Sequence, residues 1–369
     1  MKKYRRFVKI IFIVFVIFLS FSHAVLADEI AEEETVSVSI PEQLREYLPS
    51  GTDALSSTEI MESFDFGFFA RTGIRILADA APEAARNFAL LLGLSLLAAV
   101  LGIIRNTVTS SGLQTVMELV GMVCIAGAVF TVTEDIFALA EGYVSSLASF
   151  MRQITPAMAG FMIASGEVTS AAVISGVIFT ALSLLESIVA DLLFPMIRLS
   201  LCMSVVMSVF GVTGLSGVAP ILKKMIGYVF GFVTLCLSAV LMFQNMIAKS
   251  ADSLAMRGIK FAVGQFIPFV GGAVNEALST VIGGIGTVKA ATGVVAAVTV
   301  CMIAGVPLIK ILLQKTFLEW AAVCAGMLGL SGEHRLMNEL ASFFGYTAAV
   351  VAISSVFFLL SVSMMASVG

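Results

Sequence analysis

Long runs of apolar residues dominate the chain and are separated by short stretches that hold most of the charges. Seven of these runs have about the length, roughly 20 residues, that a helix needs to cross a hydrocarbon core. They are residues 88–104, 116–133, 168–190, 192–212, 225–247, 291–309 and 343–366. A lipid-exposed backbone must satisfy its own hydrogen bonds, so these runs predict helices. The pattern therefore predicts an all-α, polytopic integral membrane protein with about seven transmembrane helices.

Three other stretches have a mixed pattern. Residues 316–330 are apolar but short and contain Glu319, which fits a tilted or partial span. Residues 143–163 and 250–286 contain prolines and glycines, which remove a backbone donor or a side-chain constraint and so weaken a helix. Broken backbone at membrane depth survives only when it is buried in protein or lines water. We therefore expect one or two re-entrant or interfacial broken helices there, with a functional break or pore formed by Pro156, Pro268, Gly271, Gly272, Asn275 and Glu276.

The two proline-containing stretches also resemble each other. Residues 153–160 (QITPAMAG) align with residues 265–272 (QFIPFVGG) at one constant offset, with Gln, Pro and the last Gly shared. Three predicted spans lie between them, so the copies would point in opposite directions, as in the inverted repeats of transporters. The alternative is coincidence in a membrane sequence rich in glycine and alanine.

The N-terminus has the three parts of an export signal. Five basic residues lie within the first nine positions, an apolar run follows, and Val25 and Ala27 place small residues before a cleavage site at Asp28. We predict a signal peptide over residues 1–27; an uncleaved anchor helix is the alternative. Residues 28–87 then form an acidic exterior segment that ends in an interfacial helix from about residue 66, and residues 88–369 form the membrane domain.

Composition and motifs narrow the function. Hydrophobic residues make up 59% of the chain and charged residues 12%, whereas a soluble domain is about a quarter charged, so the lipid bilayer is the expected surrounding. No basic stripe predicts nucleic-acid binding. The cysteines are scattered singly, and GxxxxGK[ST], HExxH and GxSxG are absent, so neither a cofactor, a metal site nor an enzyme is predicted.

Three charged residues lie inside one long apolar stretch. Glu186, Asp191 and Arg198 would be costly in hydrocarbon, so each should be paired or face water. They are candidate polar residues of a pocket or pore. The alternative is a tight hairpin between two spans, with its turn over residues 191–195 at the membrane interface.

The order of these features, together with residues 260–284 (KFAVGQFIPFVGGAVNEALSTVIGG), resembles the stage III sporulation protein AE family of endospore-forming bacteria. The resemblance covers essentially the whole chain and is most specific in that segment. It implies a multi-pass protein of the mother-cell membrane around the forespore. It also implies assembly with the other stage III A operon membrane proteins and their ATPase, and in many species with stage II sporulation protein Q.

The resemblance therefore implies a non-enzymatic membrane component of a channel or secretion-like complex that links mother cell and forespore and is needed for forespore development. The residues alone leave two alternatives. One is a stand-alone secondary transporter with its site at an inverted-repeat interface. The other is an intramembrane enzyme, for which Glu186, Asp191 and Glu276 would be the candidates.

Overall fold

The computed structural model describes residues 66–105, 110–210, 218–248 and 271–367, and these residues are almost entirely helical. We number the helices in chain order. They are α1 (Phe66–Arg105), α2 (Ser111–Ala164), α3 (Val168–Ser187), α4 (Phe194–Phe210), α5 (Val218–Ala248), α6 (Gly271–Met327) and α7 (Ser331–Ser367), with a π-helical segment at Ile188–Leu193 between α3 and α4. The predicted signal peptide, the exterior segment up to residue 65 and Pro268 lie outside the described residues.

Two tight turns fold the longest helices back on their successors. Gly166 and Gly329 adopt left-handed backbone conformations with φ of 92° and 79°, which glycine adopts without a steric cost. After α2, the Glu167 N–H donates to the Met162 carbonyl and the Gly166 N–H to the Ile163 carbonyl. This is a Schellman cap, and the same pattern ends α6. Both caps satisfy carbonyl groups that a helix end would otherwise leave unpaired.

Five helical stretches of the described chain are long and apolar enough to cross a membrane. They are Gly67–Ile104, Ser111–Ala164, Val168–Met207, Gly283–Met327 and Ser331–Ala366, and a shorter apolar helix covers Lys224–Val240. The 54 residues of α2 extend roughly 81 Å at 1.5 Å per residue, far beyond a hydrocarbon core of about 30 Å. The membrane character is confirmed, whereas the predicted number of seven spans is not.

The separation of residues 168–190 from residues 192–212 is wrong. The flanking residues Ser187 and Phe194 keep right-handed helical dihedral angles, so α3, the π segment and α4 form one continuous rod. The hairpin interpretation of residues 191–195 is therefore wrong as well. Pro195 has no N–H that could donate to the carbonyl four residues earlier. The wider π turn directly before it accommodates the missing hydrogen bond. We call this continuous element the α3–α4 rod.

One of the two predicted breaks is corrected. Pro156 lies inside α2, whose helix continues to Ala164, so residues 143–163 do not form a re-entrant segment. Gly271 and Gly272 begin the described part of α6, whose backbone is helical past Asn275 and Glu276. The break around Pro268 stays a prediction, because Pro268 lies outside the described residues. A helix tolerates single prolines and glycines when the other backbone bonds are intact. The inverted repeat stays a prediction, because residues 265–270 lie outside the described residues.

The helices α6 and α7 form the centre of the bundle. Of their apolar windows 56% is buried, against 17% for α1 at the periphery. An ideal Cβ on Gly293 would lie 2.4 Å from the Ala366 Cβ, so α6 and α7 approach more closely there than two side chains allow. The Tyr143 hydroxyl ties α2 to α7 by donating to the Val351 carbonyl at 3.1 Å. Small residues and buried hydroxyls thus hold the long helices together.

Candidate functional site

The second half of α2 carries a surface unlike that of the first half. Between Thr131 and Gly160 no large hydrophobic side chain of α2 is exposed. The exposed positions are all charged, polar or small: Thr131, Glu134, Asp135, Ala138, Glu141, Gly142, Ser145, Ser149, Arg152, Gln153, Pro156, Ala157 and Gly160. At 100° per residue they cover an arc of roughly 160° along the helix. We call these positions, with their ion-pair partners on the α3–α4 rod, the polar face.

The first half of α2 has the opposite character. Its exposed side chains include Leu113, Val116, Leu119, Val120, Val123 and Phe130. Neighbouring α1 is similar, with exposed leucines and isoleucines up to Ile104. Large apolar side chains directed outward are what a lipid-facing helix surface presents. One helix therefore passes from an apolar surface to a polar one near residue 131.

Two ion pairs join the polar face of α2 to the α3–α4 rod. The Arg152 Nη2 atom donates to the Glu186 Oε2 atom at 2.5 Å, and the Arg198 Nη2 atom donates to the Glu141 Oε1 atom at 2.9 Å. In both pairs the side chains remain partly exposed, with 53% and 28% of the first pair accessible. Because α2 and the rod are antiparallel, the two pairs define two heights along the same seam.

Arg198 has a second contact that fixes its position. Its guanidinium carbon lies 5.3 Å from the centre of the Phe137 ring, within the range of a cation–π interaction. The Phe137 ring in turn meets the Phe194 ring edge-on at 5.9 Å between centroids. The guanidinium therefore rests on a buried aromatic pair while its outer side stays accessible.

The three charged residues singled out in the sequence lie along this one rod. Glu186 and Arg198 bind partners on α2, and the hydroxyl of Ser187, the last residue of α3, donates to the Asp191 carboxylate of the π segment at 2.9 Å. Pro156 belongs to the polar face but in an unbroken helix, and nothing is described of Pro268 or of the Asn275 and Glu276 side chains.

The structure also contains a buried ion pair that was not predicted from the sequence. The Lys289 ammonium of α6 donates to the Glu167 carboxylate at 3.2 Å, and their side chains are 4% and 8% exposed. Glu167 directly precedes α3 and accepts from the Ala171 N–H through its carbonyl. The two residues are 122 positions apart. The only sequence signal was a lysine in an otherwise uncharged stretch, which in a membrane protein predicts a buried partner.

The free energies of exposed ion pairs and of charges in lipid indicate what the polar face can contact. An ion pair between exposed groups in water contributes about 0–1 kcal/mol, so the two surface pairs add little to stability. A single charge at the centre of a lipid bilayer costs at least about 2.5 kcal/mol. A face with several such groups is therefore unsuited to lipid contact and suited to water or to polar protein surfaces. Within the described residues no group of three metal-ligating side chains occurs.

Long apolar helices around a buried core, with one polar face, define a multi-pass α-helical membrane protein. The sequence profile of the stage III sporulation protein AE family matches residues 59–369, and the chain belongs to this family. It is similar to stage III sporulation protein AE of Bacillus subtilis (strain 168), with 26% identity over 227 residues. That match covers 61% of this chain and 57% of the relative, so the chain spans less than two thirds of the relative's length. No solved structure matches.

Proposed function

We propose that this sporulation protein is a non-enzymatic membrane component of a channel or secretion-like complex between mother cell and forespore, and that its polar face lines a water-filled path in that complex. The observation that carries the proposal is the change along α2 from an apolar surface to the polar face. Family membership supports the role in sporulation. The mother-cell membrane around the forespore is the proposed location.

The position of the polar face favours an assembly over a transporter that works alone. The polar face lies on the outside of the described bundle, because its residues are exposed in the single chain. A polar surface at membrane depth must meet water or polar protein. Water can be kept beside such a surface within a bilayer only if other polypeptides close the path. We propose the other stage III A operon membrane proteins, their ATPase and stage II sporulation protein Q as partners.

Site-specific photocrosslinking in sporulating cells tests this proposal. Ala157 lies at the edge of the polar face that points away from the α3–α4 rod. A photoreactive amino acid at Ala157 should capture another protein of the complex. The matched control is Leu192, an exposed apolar residue of the rod, where the same probe should give mainly lipid adducts. Equal capture of proteins at both positions, or of none at Ala157, would argue against a path closed by partners.

Reconstitution distinguishes the transporter alternative. The purified chain in liposomes should move no solute down an ion gradient, because the polar face then lacks the chains that enclose it. Solute movement by the chain alone, at rates that depend on the gradient, would contradict the assembly proposal and support a secondary transporter.

A further inference from the structure

The first half of α1 has a charged side that lies outside the polar face as defined on α2. Five charged residues recur there at helical spacing, and all are exposed: Arg71, Arg75, Asp79, Glu83 and Arg86. We call these five residues the charged flank of α1. Four of them directly precede the members of a buried row, which are Thr72, Ile76, Ala80 and Ala84. The residues directly after that row, such as Leu77 and Ala85, carry no charge. The two sides that border the buried row of α1 therefore differ in character.

The buried row shows that this half of α1 packs along the bundle. Its members are spaced four apart and are at most 7% exposed. A helix that lay on the membrane surface away from the bundle would bury no such row against other helices. Directly after the row, the Phe88 ring lies 5.8 Å from the Phe317 ring of α6. The charged flank is therefore held at a fixed place beside the other long helices.

Two contacts define how α1 runs along α2. An ideal Cβ on Gly121 would lie 3.5 Å from the Ala98 Cβ, so these two positions face each other. Glu83 and Asp135 line one pocket between α1, α2 and α6. Glu83 lies 15 residues before Ala98, and Asp135 lies 14 residues after Gly121. The two helices therefore run antiparallel in a single register between these contacts.

The same register brings the charged flank beside the polar face. At equal rise per residue, residues 71–86 of α1 face roughly residues 132–148 of α2. Asp135 of the polar face and Glu83 of the charged flank meet at the shared pocket. On the circumference of α2, Asp135 lies about 120° from Glu141, which binds the α3–α4 rod. The rod thus borders the polar face on one side, and the charged flank borders it on the other.

We propose that the charged flank of α1 forms a second wall of the water-filled path, with the polar face of α2 between it and the α3–α4 rod. This inference rests on the proposed function, because it assigns further residues to that path. Charged groups at membrane depth must meet water or polar protein. The path supplies water to the charged flank, whereas the apolar side chains of Ile74 and Leu77 are directed away from it.

The two walls together indicate which solutes the path accepts. The polar face, with its partners on the rod, carries four carboxylates and two guanidinium groups. The charged flank adds two carboxylates and three guanidinium groups. Ion-selective pores carry rings of charges of one sign. A surface with nearly balanced charges favours neither sign, so the path should accept hydrophilic solutes of either charge.

Cysteine accessibility in membranes of sporulating cells tests the second wall. Asp79 and Leu77 are both exposed in the single chain, and two helical residues apart they point to nearly opposite sides of α1. In a functional background without the five native cysteines, a small membrane-impermeant maleimide should modify Asp79→Cys at least about tenfold faster than Leu77→Cys, because the reactive thiolate forms in water. Equal rates at the two positions, fast or slow, would overturn the second wall.

Ser149→Cys separates this result from the proposed function, because Ser149 belongs to the polar face of α2. Fast modification of Ser149→Cys together with slow modification of Asp79→Cys would overturn the second wall and leave the path in place. Slow modification of both would contradict the path itself.

A bulky reagent distinguishes the second wall from a helix on the membrane surface. An interfacial helix also turns its charged side to water, but there it is open to reagents of any size. In an enclosed path, a maleimide on a long polyethylene glycol chain should leave most of Asp79→Cys unmodified. The single chain purified in detergent is the control, because the same thiol should then react with both reagents. Modification in membranes by the long reagent as fast as by the small one would overturn the proposal.

Two charged thiol reagents test the solute class at Asp79→Cys. One methanethiosulfonate carries a trimethylammonium group and the other a sulfonate group, and each rate is divided by the rate with a free thiol in solution. A cleft lined by one sign raises the association of the opposite charge by about 10- to 1,000-fold. The two corrected rates should agree within about tenfold. A larger preference for either reagent would contradict a path that accepts both charges.

Discussion

The molecule contains two kinds of ion pair, and their surroundings differ. Lys289 and Glu167 are enclosed between α6 and the α2–α3 turn, with 4% and 8% of their side chains exposed. Arg198 and Glu141 join α2 to the rod on the outside, with 44% and 48% exposed. The same chemistry therefore stabilises the fold in one pair and forms part of an accessible surface in the other. Burial, not the distance between the charges, decides which.

The largest effect is expected from breaking the enclosed pair. Lys289→Met leaves the Glu167 carboxylate buried without its cation, which costs about 3–5 kcal/mol. Thermal unfolding of the purified chain in detergent should show a strongly lowered midpoint. The double variant Lys289→Met with Glu167→Gln should recover part of the loss, since no buried charge is then unpaired. A single variant as stable as the wild type would show that the pair does not stabilise the fold.

A smaller effect is expected one turn further along α6. Gly293→Ala places a Cβ 2.4 Å from the Ala366 Cβ, and the resulting overpacking should cost about 1–3 kcal/mol. Gly305→Ala is the matched control in the same helix, because its Cβ would meet nothing within 4 Å. Alanine is the better helix former, so the control should be neutral or slightly stabilising. Equal unfolding midpoints for the two variants would contradict close α6–α7 packing at Gly293.

The smallest effect on stability is expected at the exposed pair. Arg198→Ala should lower the free energy of unfolding by no more than about 1 kcal/mol, because the pair is partly solvated. Sporulation should nevertheless fail if the polar face lines the path of the complex. Arg198→Lys keeps the charge and should retain part of the function. If Arg198→Ala lost as much stability as Lys289→Met, the proposed difference between the exposed and the buried ion pair would be wrong.

The sequence predicted the class of fold well because hydropathy alone sets it. Each predicted span falls largely within a described helix, as residues 88–104 do within α1. The predicted boundary between residues 168–190 and 192–212 was wrong, because Asp191 and Pro195 are typical of a turn between two spans. In the structure a π turn accommodates both residues within a continuous helix. Local composition does not distinguish such a turn from a hairpin.

The sequence predicted only some of the residues of the candidate site. Glu186, Asp191 and Arg198 stood out because charges are rare in apolar stretches. Their partners did not, because Arg152 and Glu186 are 34 positions apart and meet only through the tertiary packing. The small residues Ala138, Gly142, Ser145 and Ser149, spaced four, three and four apart, were the available signal for a shared helix face. The proline at position 156 drew attention to a break instead.

Cysteine accessibility tests most directly whether the polar face meets water. Ser149 lies between the two ion-paired residues of α2, and Leu192 lies between those of the rod, so the two residues share nearly the same height. Cysteine replaces each in turn, in a functional background whose five native cysteines are replaced by alanine. In membranes of sporulating cells, a membrane-impermeant maleimide should modify Ser149→Cys at least about tenfold faster than Leu192→Cys, because the reactive thiolate forms only in water. Equally slow modification of both would contradict the account.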